Sequence, residues 1–324
     1  MTEPVSDDVS RAAKLLRAGD LVAFPTETVY GLGADAWNET ALAKIFAAKS
    51  RPADHPLIVH IADAAQLGAW ARDIPEAALK LARAFWPGPL TVILKKQPQV
   101  HDLVTGGQDT VGLRVPNHPL ALQLLHAFGS SIAAPSANRF GRISPTTASH
   151  VRDELGDAVS LVLDGGPCDV GIESTIVDLS RGEALILRPG MIGAEAITRV
   201  LGSHVVQQWN DAGQSAPRVS GTLESHYAPN TTMKLVPAQL LIAEVERLLL
   251  TGQSIAVLSA QTQSMHRRLH WQQASSEAVL YAHDLYANLR LLDQVGASII
   301  LVEVPPMTDQ WLAISDRLQR AAKK

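Results

Sequence analysis

The chain has 324 residues but only one cysteine, Cys168, and no stretch that approaches about 18 uninterrupted apolar residues. A single thiol excludes an internal disulfide and a cysteine-based zinc site, so we expect a reducing compartment. The missing apolar run excludes a membrane-spanning helix. The first residues, which include Glu3, Asp7 and Asp8, are acidic, unlike a secretory or transit signal. The sequence therefore predicts a soluble, cytoplasmic protein without a membrane partner.

A surplus of positive charge is missing too, because 28 Lys and Arg residues stand against 32 Asp and Glu residues, a net charge of −4. Without a basic field, tight nonspecific nucleic-acid binding is not expected as the principal activity. Disorder as the main state is also excluded, since 46% of the residues are hydrophobic and only 19% are charged. This length and composition can build one large core or two ordinary ones.

Three common strings are absent from the sequence: the P-loop, H-E-x-x-H and G-x-S-x-G. The standard P-loop, zincin and α/β-hydrolase interpretations are therefore excluded. Residues 31–36 do fit the dinucleotide string G-x-G-x-x-A, but a true fingerprint opens a helix directly and has an acidic residue about 20 positions later. Here the helical pattern starts only at Asn38, and the expected acidic position falls near Ser50 and Arg51. We therefore reject a dinucleotide site.

Short apolar segments typical of buried strands recur along roughly the first 190 residues. Examples are 21–24, 57–61, 90–94, 111–115 and 175–179. Helical patterns such as 76–85 and 119–128 lie between them without strict alternation, and Ser6 and Asn38 are suited to cap the first two helices. This arrangement predicts a twisted, mixed α/β sheet rather than a regular doubly wound one.

The composition changes after Leu201. Residues 207–230 are rich in Gly, Ser, Pro, Asn and Gln and lack apolar periodicity, as in a linker or an ordered loop. Beyond them a β-α-β pattern returns, with a helix expected to begin at residue 284, and predicts a smaller, mainly parallel, Rossmann-like α/β domain. We accordingly divide the chain into a first domain (1–206), a linker (207–230) and a C-terminal domain (231–324).

Basic side chains stand at the ends of several predicted elements, and each has two interpretations. Lys49 and Arg51 follow a helix, where they either cap it or clamp a phosphate. Arg114 and Arg188 each end an apolar strand, either as members of structural ion pairs or as ligands for a carboxylate or phosphate. From the residues alone, these alternatives stay open.

Hydroxyl-bearing turns are equally ambiguous. The segments around Ser136, Ser144 and Ser174 either form turns and caps or bind an anion through hydroxyls and helix-terminal amides. His60 closes a strand, where a histidine is either a satisfied core residue or a ligand.

Taken together and in order, these strings resemble the YrdC family in its long two-domain form, over nearly the whole chain. The matching strings are PTETVYGLG at 25–33, KSRP at 49–52, WPGPLT at 86–91, RVP at 114–116, APSAN at 134–138, SPT at 144–146, DGG at 164–166, EST at 173–175, LRPG at 187–190, HYAP at 226–229 and AISDRL at 313–318. Two positions depart from the family pattern. Ser220 stands where the linker often has proline, and Phe140 stands where a small residue is common after the asparagine.

The resemblance implies a nucleotidyltransferase with L-threonylcarbamoyladenylate synthase activity and a YrdC-like catalytic domain. Such an enzyme condenses L-threonine, bicarbonate and ATP into L-threonylcarbamoyl-AMP and pyrophosphate. Downstream machinery then transfers the threonylcarbamoyl group to an adenosine of tRNA, giving threonylcarbamoyladenosine (t6A). This chemistry needs positioning and charge neutralisation rather than a protein nucleophile. Mg²⁺ is expected on the triphosphate of ATP, without a metal site built by the protein.

The resemblance also implies the residues of the site. Lys49 and Arg51 are expected to act on the triphosphate as the catalytic pair. The residues implied for ATP are Lys49, Arg51, Thr110, Ser136, Asn138, Ser144, Arg188, His226 and Tyr227. Those implied for threonine and bicarbonate are Thr26, His60, Arg114 and Ser174. The linker is expected to lie across the site as a lid that excludes water, and the alternative is that Tyr227 simply packs against the second domain.

Two functions of other classes were weighed against this one. A double-stranded RNA-binding or ribosome-associated module would need a basic patch, for which Arg139, Arg142 and Arg152 are the candidates. The net charge of −4 argues instead for weak or no direct RNA binding. An O-carbamoyltransferase of the hydrogenase-maturation type would need cysteine-rich zinc fingers, which a single cysteine excludes.

Overall fold

A computed structural model describes the chain over residues 6–207, 216–221, 225–261 and 265–323. The chain divides into two compact units. The first unit consists of Met1–Phe140, Pro145–Asp169 and Glu173–Thr222, and the second consists of Gly141–Ser144, Val170–Ile172 and Leu223–Lys324. Residues 208–215 and 222–224 of the predicted linker lie outside the described residues.

The helices of the first unit are α1 (Asp7–Arg17), α2 (Glu39–Lys49), α3 (Leu67–Trp70), α4 (Glu76–Phe85), α5 (Asp102–Thr105), α6 (Pro119–Phe128), α7 (Ala148–Leu155) and α8 (Ala194–Leu201). Those of the second unit are α9 (Ala238–Leu250), α10 (Ala278–Gln294) and α11 (Leu312–Ala322). Among the described residues, no helix combines the length and the apolar character needed to cross a membrane.

The strands of the first unit are β1 (Val22–Phe24), β2 (Gly31–Asp35), β3 (Ile58–His60), β4 (Leu90–Lys95), β5 (Thr110–Arg114), β6 (Ile132–Ala133), β7 (Leu161–Val162), β8 (Thr175–Asp178), β9 (Leu185–Arg188) and β10 (Val206–Gln207). Those of the second unit are β11 (Met233–Val236), β12 (Ile255–Ser259), β13 (Leu269–Gln273) and β14 (Ile299–Glu303).

The described strands of the first unit form one sheet in the order β10-β9-β8-β4-β5-β3-β6-β2-β1-β7. β1 pairs antiparallel with β2 and parallel with β7. β4 likewise pairs antiparallel with β5 and parallel with β8. The prediction of a mixed α/β sheet is therefore confirmed.

Local capping explains where the first two helices begin. The side chains of Ser6 and Asn38 each accept a hydrogen bond from the backbone amide three residues later, at 3.3 Å and 3.1 Å. Both predicted caps are therefore confirmed. α2 ends at Lys49 because Ser50 adopts a left-handed conformation, with φ 51°. The chain turns at once, and Arg51 follows directly after this turn.

The strand β2 is missing from the sequence prediction, because its residues (GLGAD) include two glycines and no β-branched side chain. Gly33 allows its neighbours to pack closely: a Cβ at this position would lie 2.8 Å from Ile132 Cγ2 and 2.9 Å from Phe24 Cε1. These residues belong to the string that imitates a dinucleotide fingerprint. Their place inside a strand confirms that the glycines do not open a helix.

The second unit contains a four-stranded sheet in the order β11-β14-β12-β13, whose described strand pairs are all parallel. The prediction of a smaller, mainly parallel α/β fold is therefore confirmed. β13 escapes the sequence prediction because polar residues such as His270 and Gln272 interrupt its apolar pattern. α10 begins at Ala278 rather than at residue 284. Leu241 and Val245 of α9 are buried in a cluster with residues of β12 and β14.

Gly33→Ala should destabilise the first unit, since the new methyl group would overlap side chains of two neighbouring strands. We expect the free energy of unfolding to fall by about 1–3 kcal/mol, the usual cost of overpacking a core. Gly68→Ala is the matched control, because a Cβ at Gly68 in α3 meets no atom within 4 Å. The control should be neutral or stabilising by up to about 1 kcal/mol. Urea denaturation measures both changes, and an equal loss in the two variants would contradict the packing role of Gly33.

Candidate active site

Neighbouring strands of the large sheet bring four of the expected site residues to strand ends. His60 at the end of β3 pairs in register with Arg114 at the end of β5. Ser174 directly precedes β8, and Arg188 ends the adjacent strand β9. All four side chains are buried. Polar groups in such positions need partners inside the protein, and these partners define the site.

The Arg114 guanidinium is fixed by three contacts. Its Nε donates to the carbonyl of Gly88 at 3.3 Å, and its Nη1 donates to Thr28 Oγ1 at 2.9 Å. Its Nη2 lies 2.7 Å from Glu27 Oε1, in an ion pair whose two side chains are only 5% and 4% exposed. Neither Glu27 nor Thr28 is among the residues implied by the sequence. The sequence did contain a signal: Glu27 is a carboxylate within the PTETVYGLG string. A carboxylate that becomes buried on folding needs a cation beside it.

Thr26 stabilises the turn that carries these two residues. Its Oγ1 donates to the carbonyl of Val29 at 2.7 Å and lies 2.8 Å from Thr28 Oγ1. Because the Thr26 proton is committed to that carbonyl, the hydrogen between the two hydroxyls comes from Thr28. The hydrogen bonds therefore run in one direction, from Arg114 through Thr28 to Thr26, and Thr26 acts here as a turn former.

His60 is a neutral imidazole beside this cation. Removal from water and then the positive charge of Arg114 lower its pKa from the usual 6.5 to about 3. Its ring packs edge-on against Phe24, with the ring centroids 5.8 Å apart. The histidine therefore adds no positive charge next to Arg114 at physiological pH.

Ser174 and Arg188 form a second polar group. Arg188 Nη2 donates to the Ser174 carbonyl at 2.9 Å and to its Oγ at 3.1 Å. The same Oγ lies 2.8 Å from Thr91 Oγ1. Arg188 Nη1 donates to the Ser220 carbonyl at 2.8 Å and to the Ser220 hydroxyl at 3.2 Å. The first departure from the family pattern thus gives Arg188 a hydroxyl partner that proline lacks.

Lys49 binds the APSAN loop instead of capping its own helix. Its Nζ donates to the carbonyls of Ser136 and Asn138, and the residue is 1% exposed. Desolvation and then the nearby charge of Arg51 lower the pKa of Lys49 well below its usual value. An ammonium group has three N–H bonds, and the two carbonyls account for two of them among the described contacts.

Arg51 is buried beside Phe140. Its Nη2 donates to the carbonyl of Pro56 at 3.0 Å, and its guanidinium carbon lies 5.9 Å from the centre of the Phe140 ring. His55 packs edge-on against the same ring, with centroids 5.2 Å apart. The second departure from the family pattern therefore supplies an aromatic face to a cation of the site.

A small cleft with a volume of about 20 Å³ lies in the first unit and has Thr110 in its wall. Other residues that line it include Ile58, Ile93, Gly112, Ile176, Arg218 and Ser220. Because Ser220 also accepts hydrogen bonds from Arg188, the cleft adjoins the Ser174–Arg188 group.

Three of the implied residues, Ser144, His226 and Tyr227, belong to the second unit. Ser144 is fully buried, and Tyr227 is 1% exposed with a left-handed backbone, φ 61°. The Tyr227 ring stacks on Tyr286, with centroids 5.7 Å apart, and lies 5.5 Å from the guanidinium carbon of Arg317. Tyr227 therefore packs within the second unit, as in the alternative to a lid.

The candidate basic patch has its own partners. Arg142 pairs with Asp293 at 3.2 Å, and Arg152 pairs with Asp164 at 3.4 Å. Arg139 donates to a backbone carbonyl at 3.3 Å. These three arginines therefore give no support to an RNA-binding surface.

Cys168 is not an activated thiol. It is buried, and burial raises the pKa of its thiol to about 12. The thiol is therefore protonated at neutral pH and is not a nucleophile. Within residues 6–207, 216–221, 225–261 and 265–323, no group of three or more His, Cys, Asp or Glu side chains is placed to hold a metal ion.

Known proteins resemble the chain over almost its whole length. A family model for Sua5, YciO and YrdC, described as Telomere recombination, matches residues 14–190, and one described as Threonylcarbamoyl-AMP synthase, C-terminal domain, matches residues 192–323. The threonylcarbamoyl-AMP synthase of Pyrococcus abyssi is 39% identical over 318 residues, 96% of this chain and 93% of that protein. The one of Bacillus subtilis is 42% identical over 328 residues, 97% of this chain and 92% of that protein. The crystal structure of P. abyssi Sua5 complexed with L-threonine matches with a TM-score of 0.89 at 38% identity, covering 97% of this chain and 94% of the other.

Lys49→Met keeps the length of the side chain and removes its ammonium group, so the carbonyls of Ser136 and Asn138 lose a buried donor. We expect the free energy of unfolding to fall by about 1–3 kcal/mol. Lys80→Met in α4 is the control, because Lys80 pairs with Glu76 at the surface, its side chain 42% exposed. That change should cost no more than about 1 kcal/mol. If urea denaturation gives the same loss for both variants, the carbonyl contacts do not contribute to stability.

His60 should make the folded state less stable in acid. Its pKa is about 3 in the folded state and 6.5 without the fold, so only the unfolded chain takes up this proton between the two values. The contribution of neutral His60 to the free energy of unfolding is fully present above pH 6.5. It is lost as the pH falls toward 3, by up to about 1.4 kcal/mol per pH unit. His60→Asn should therefore flatten the pH dependence of unfolding below pH 6.5. The same substitution at the exposed His126 of α6 should leave the slope as in the wild type, and a steep slope in His60→Asn would refute the assignment.

Proposed function

The chain belongs to the two-domain threonylcarbamoyl-AMP synthase family, and from this premise we propose that it condenses L-threonine, bicarbonate and ATP into L-threonylcarbamoyl-AMP and pyrophosphate. The amine of threonine attacks the carbonate carbon with loss of water. A carbamate oxygen then attacks the α-phosphorus of ATP, and pyrophosphate leaves. Neither step needs a protein nucleophile, so the rate depends on positioning the reactants and on neutralising their charge.

Buried cations at element ends in the first unit carry this proposal. Lys49, Arg51, Arg114 and Arg188 are each at most 7% exposed, and each donates to a backbone carbonyl. A carbonyl oxygen has only a partial negative charge, so these carbonyl contacts hold the cations in place without cancelling their charge. The three substrates all carry negative charge, on the threonine carboxylate, on bicarbonate and on the triphosphate.

We assign the substrates by the position of these cations. Arg114, with His60 and Ser174, takes threonine and bicarbonate, and Thr26 shapes the turn beside them. The residues proposed for ATP are Lys49, Arg51, Thr110, Ser136, Asn138, Ser144, Arg188, His226 and Tyr227. Lys49 and Arg51 act on the triphosphate. Mg²⁺ arrives with ATP, bound to the phosphate oxygens, as is usual for this ion.

Protection from water is part of the proposal, because the product is a mixed anhydride that hydrolyses readily. We propose that the linker, 207–230, is the segment that provides it, between a catalytic domain (1–206) and a C-terminal domain (231–324). The product then passes, in the cytoplasm, to the machinery that transfers its threonylcarbamoyl group to tRNA.

Incubation of the protein with Mg²⁺, ATP, L-threonine and bicarbonate should give L-threonylcarbamoyl-AMP, detected by mass spectrometry, together with one pyrophosphate for each product. Omitting threonine or bicarbonate should abolish both signals. Pyrophosphate release of equal rate without threonine would refute the proposed reaction.

Variants of the buried cations test whether these side chains contribute to the proposed reaction. Arg188→Lys keeps the charge but loses the fork that binds Ser174 and Ser220, so activity should fall by about 10- to 150-fold, equivalent to about 1.5–3 kcal/mol. Arg199→Lys is the control, because this arginine of α8 is 74% exposed and pairs only with the exposed Glu195 among the described contacts. The control should retain wild-type activity.

A further inference from the structure

Glu27 lies behind the cation that we assign to threonine, and nothing in the proposed reaction gives it a role. Its Oε2 accepts a hydrogen bond from the amide of Asn117 at 3.0 Å, while its Oε1 lies 2.7 Å from Arg114 Nη2. The side chain is 4% exposed. The carboxylate is therefore held by the backbone on one side and faces the guanidinium on the other.

The contact between Glu27 and Arg114 is close but poorly aligned for a hydrogen bond. Among the described residues, neither Glu27 Oε1 nor Arg114 Nη2 has a partner with hydrogen-bond geometry, although the two atoms are close. Of the five guanidinium N–H bonds, one on Nε and one on Nη1 are used, by the Gly88 carbonyl and Thr28 Oγ1. Among the described residues, the N–H bonds of Nη2 therefore have no well-aligned acceptor.

We propose that Glu27 is a positioning residue, which holds Arg114 by charge so that Nη2 can donate to the carboxylate of L-threonine. This inference rests on the proposed function. Attraction between opposite charges is strong in the interior, where the effective dielectric constant is low, and it fixes the end of the guanidinium that no protein acceptor binds. A carboxylate ligand then receives charge-assisted hydrogen bonds from a donor whose position is set in advance.

A purely structural ion pair would have a different signature. Removing one partner of a buried pair lowers stability, because the other charge is left without compensation. A structural pair would therefore lower the melting temperature and the amount of active protein, and the apparent kcat for all substrates would fall together. It would leave the affinity for threonine unchanged in the protein that remains folded.

The central experiment compares Glu27→Gln with the wild type. Glutamine has the same shape but no charge, so Arg114 keeps its Gly88 and Thr28 contacts and loses the attraction at Nη2. The KM and the calorimetric Kd for L-threonine should rise by about 10- to 100-fold, as expected for a misplaced binding group. The KM values for ATP and bicarbonate should stay close to wild type. A rise confined to bicarbonate would assign Nη2 to that anion instead and would overturn the inference for threonine.

Two further variants make the result specific. Glu27→Asp retains the charge on a side chain one methylene shorter, so its threonine Kd should lie between those of the wild type and Glu27→Gln. Asp178→Asn is the matched control, because Asp178 is a buried carboxylate at the far end of β8 that binds Ser180 and lies 3.7 Å from Arg181. It should lower the melting temperature without changing the threonine KM.

Each outcome of these measurements either supports or overturns the positioning role of Glu27. If Glu27→Gln does not fold, the threonine Kd of Glu27→Asp replaces it, since a shortened carboxylate still displaces the guanidinium; an unchanged Kd in the folded variant overturns the inference. Calorimetry measures threonine binding without turnover. Failure of the proposed function can therefore be distinguished from failure of the positioning role. In that case the wild type would form no threonylcarbamoyl-AMP, whereas failure of the positioning role leaves the wild type active and Glu27→Gln with wild-type threonine affinity.

Discussion

The first unit depends on buried cations that are held by backbone carbonyls. Lys49, Arg51 and Arg188 all donate to backbone carbonyls, and Arg114 does so as well while facing Glu27. A carbonyl dipole accepts the hydrogen bond without cancelling the charge of its donor, in a region of low dielectric constant. The same contacts also join distant parts of the chain, because Lys49 binds a loop 87 residues away. The groups that attract anionic substrates therefore also hold the loops of the site in place.

Much of the secondary structure follows from local sequence signals. The bounds of α4, α6 and α9 agree with the periodicity of their apolar residues. The caps at Ser6 and Asn38 follow from side chains that can accept a hydrogen bond from the first turn. β2 and β13 could not be predicted in this way, because one is rich in glycine and the other in polar residues. Their pairing with neighbouring strands is a tertiary effect that overrides local propensity.

For the site, the sequence indicates which residues are candidates but not which groups they contact. The family strings point to Arg114 and Arg188 as candidates, but they do not show which groups contact them. Thr28 contacts Arg114 across 86 residues of sequence, and that proximity depends on the register of the large sheet. Tyr227 could equally have been an exposed lid residue from its sequence context, and only the stacking on Tyr286 and the contact with Arg317 reveal its packing in the second unit.

The second unit draws two of its pieces from the interior of the preceding sequence, Gly141–Ser144 and Val170–Ile172. The amide of Ala228 donates to the carbonyl of Gly141 at 2.9 Å, and a Cβ at Gly171 would lie 2.3 Å from the carbonyl oxygen of His283. A recombination event near residue 191, between the two matched family regions, would separate these pieces from the backbone that they fit. The C-terminal region alone therefore does not contain every segment of the second unit. If the C-terminal region were replaced by that of a relative, the new region would have to fit these seven residues, which the N-terminal region would still supply.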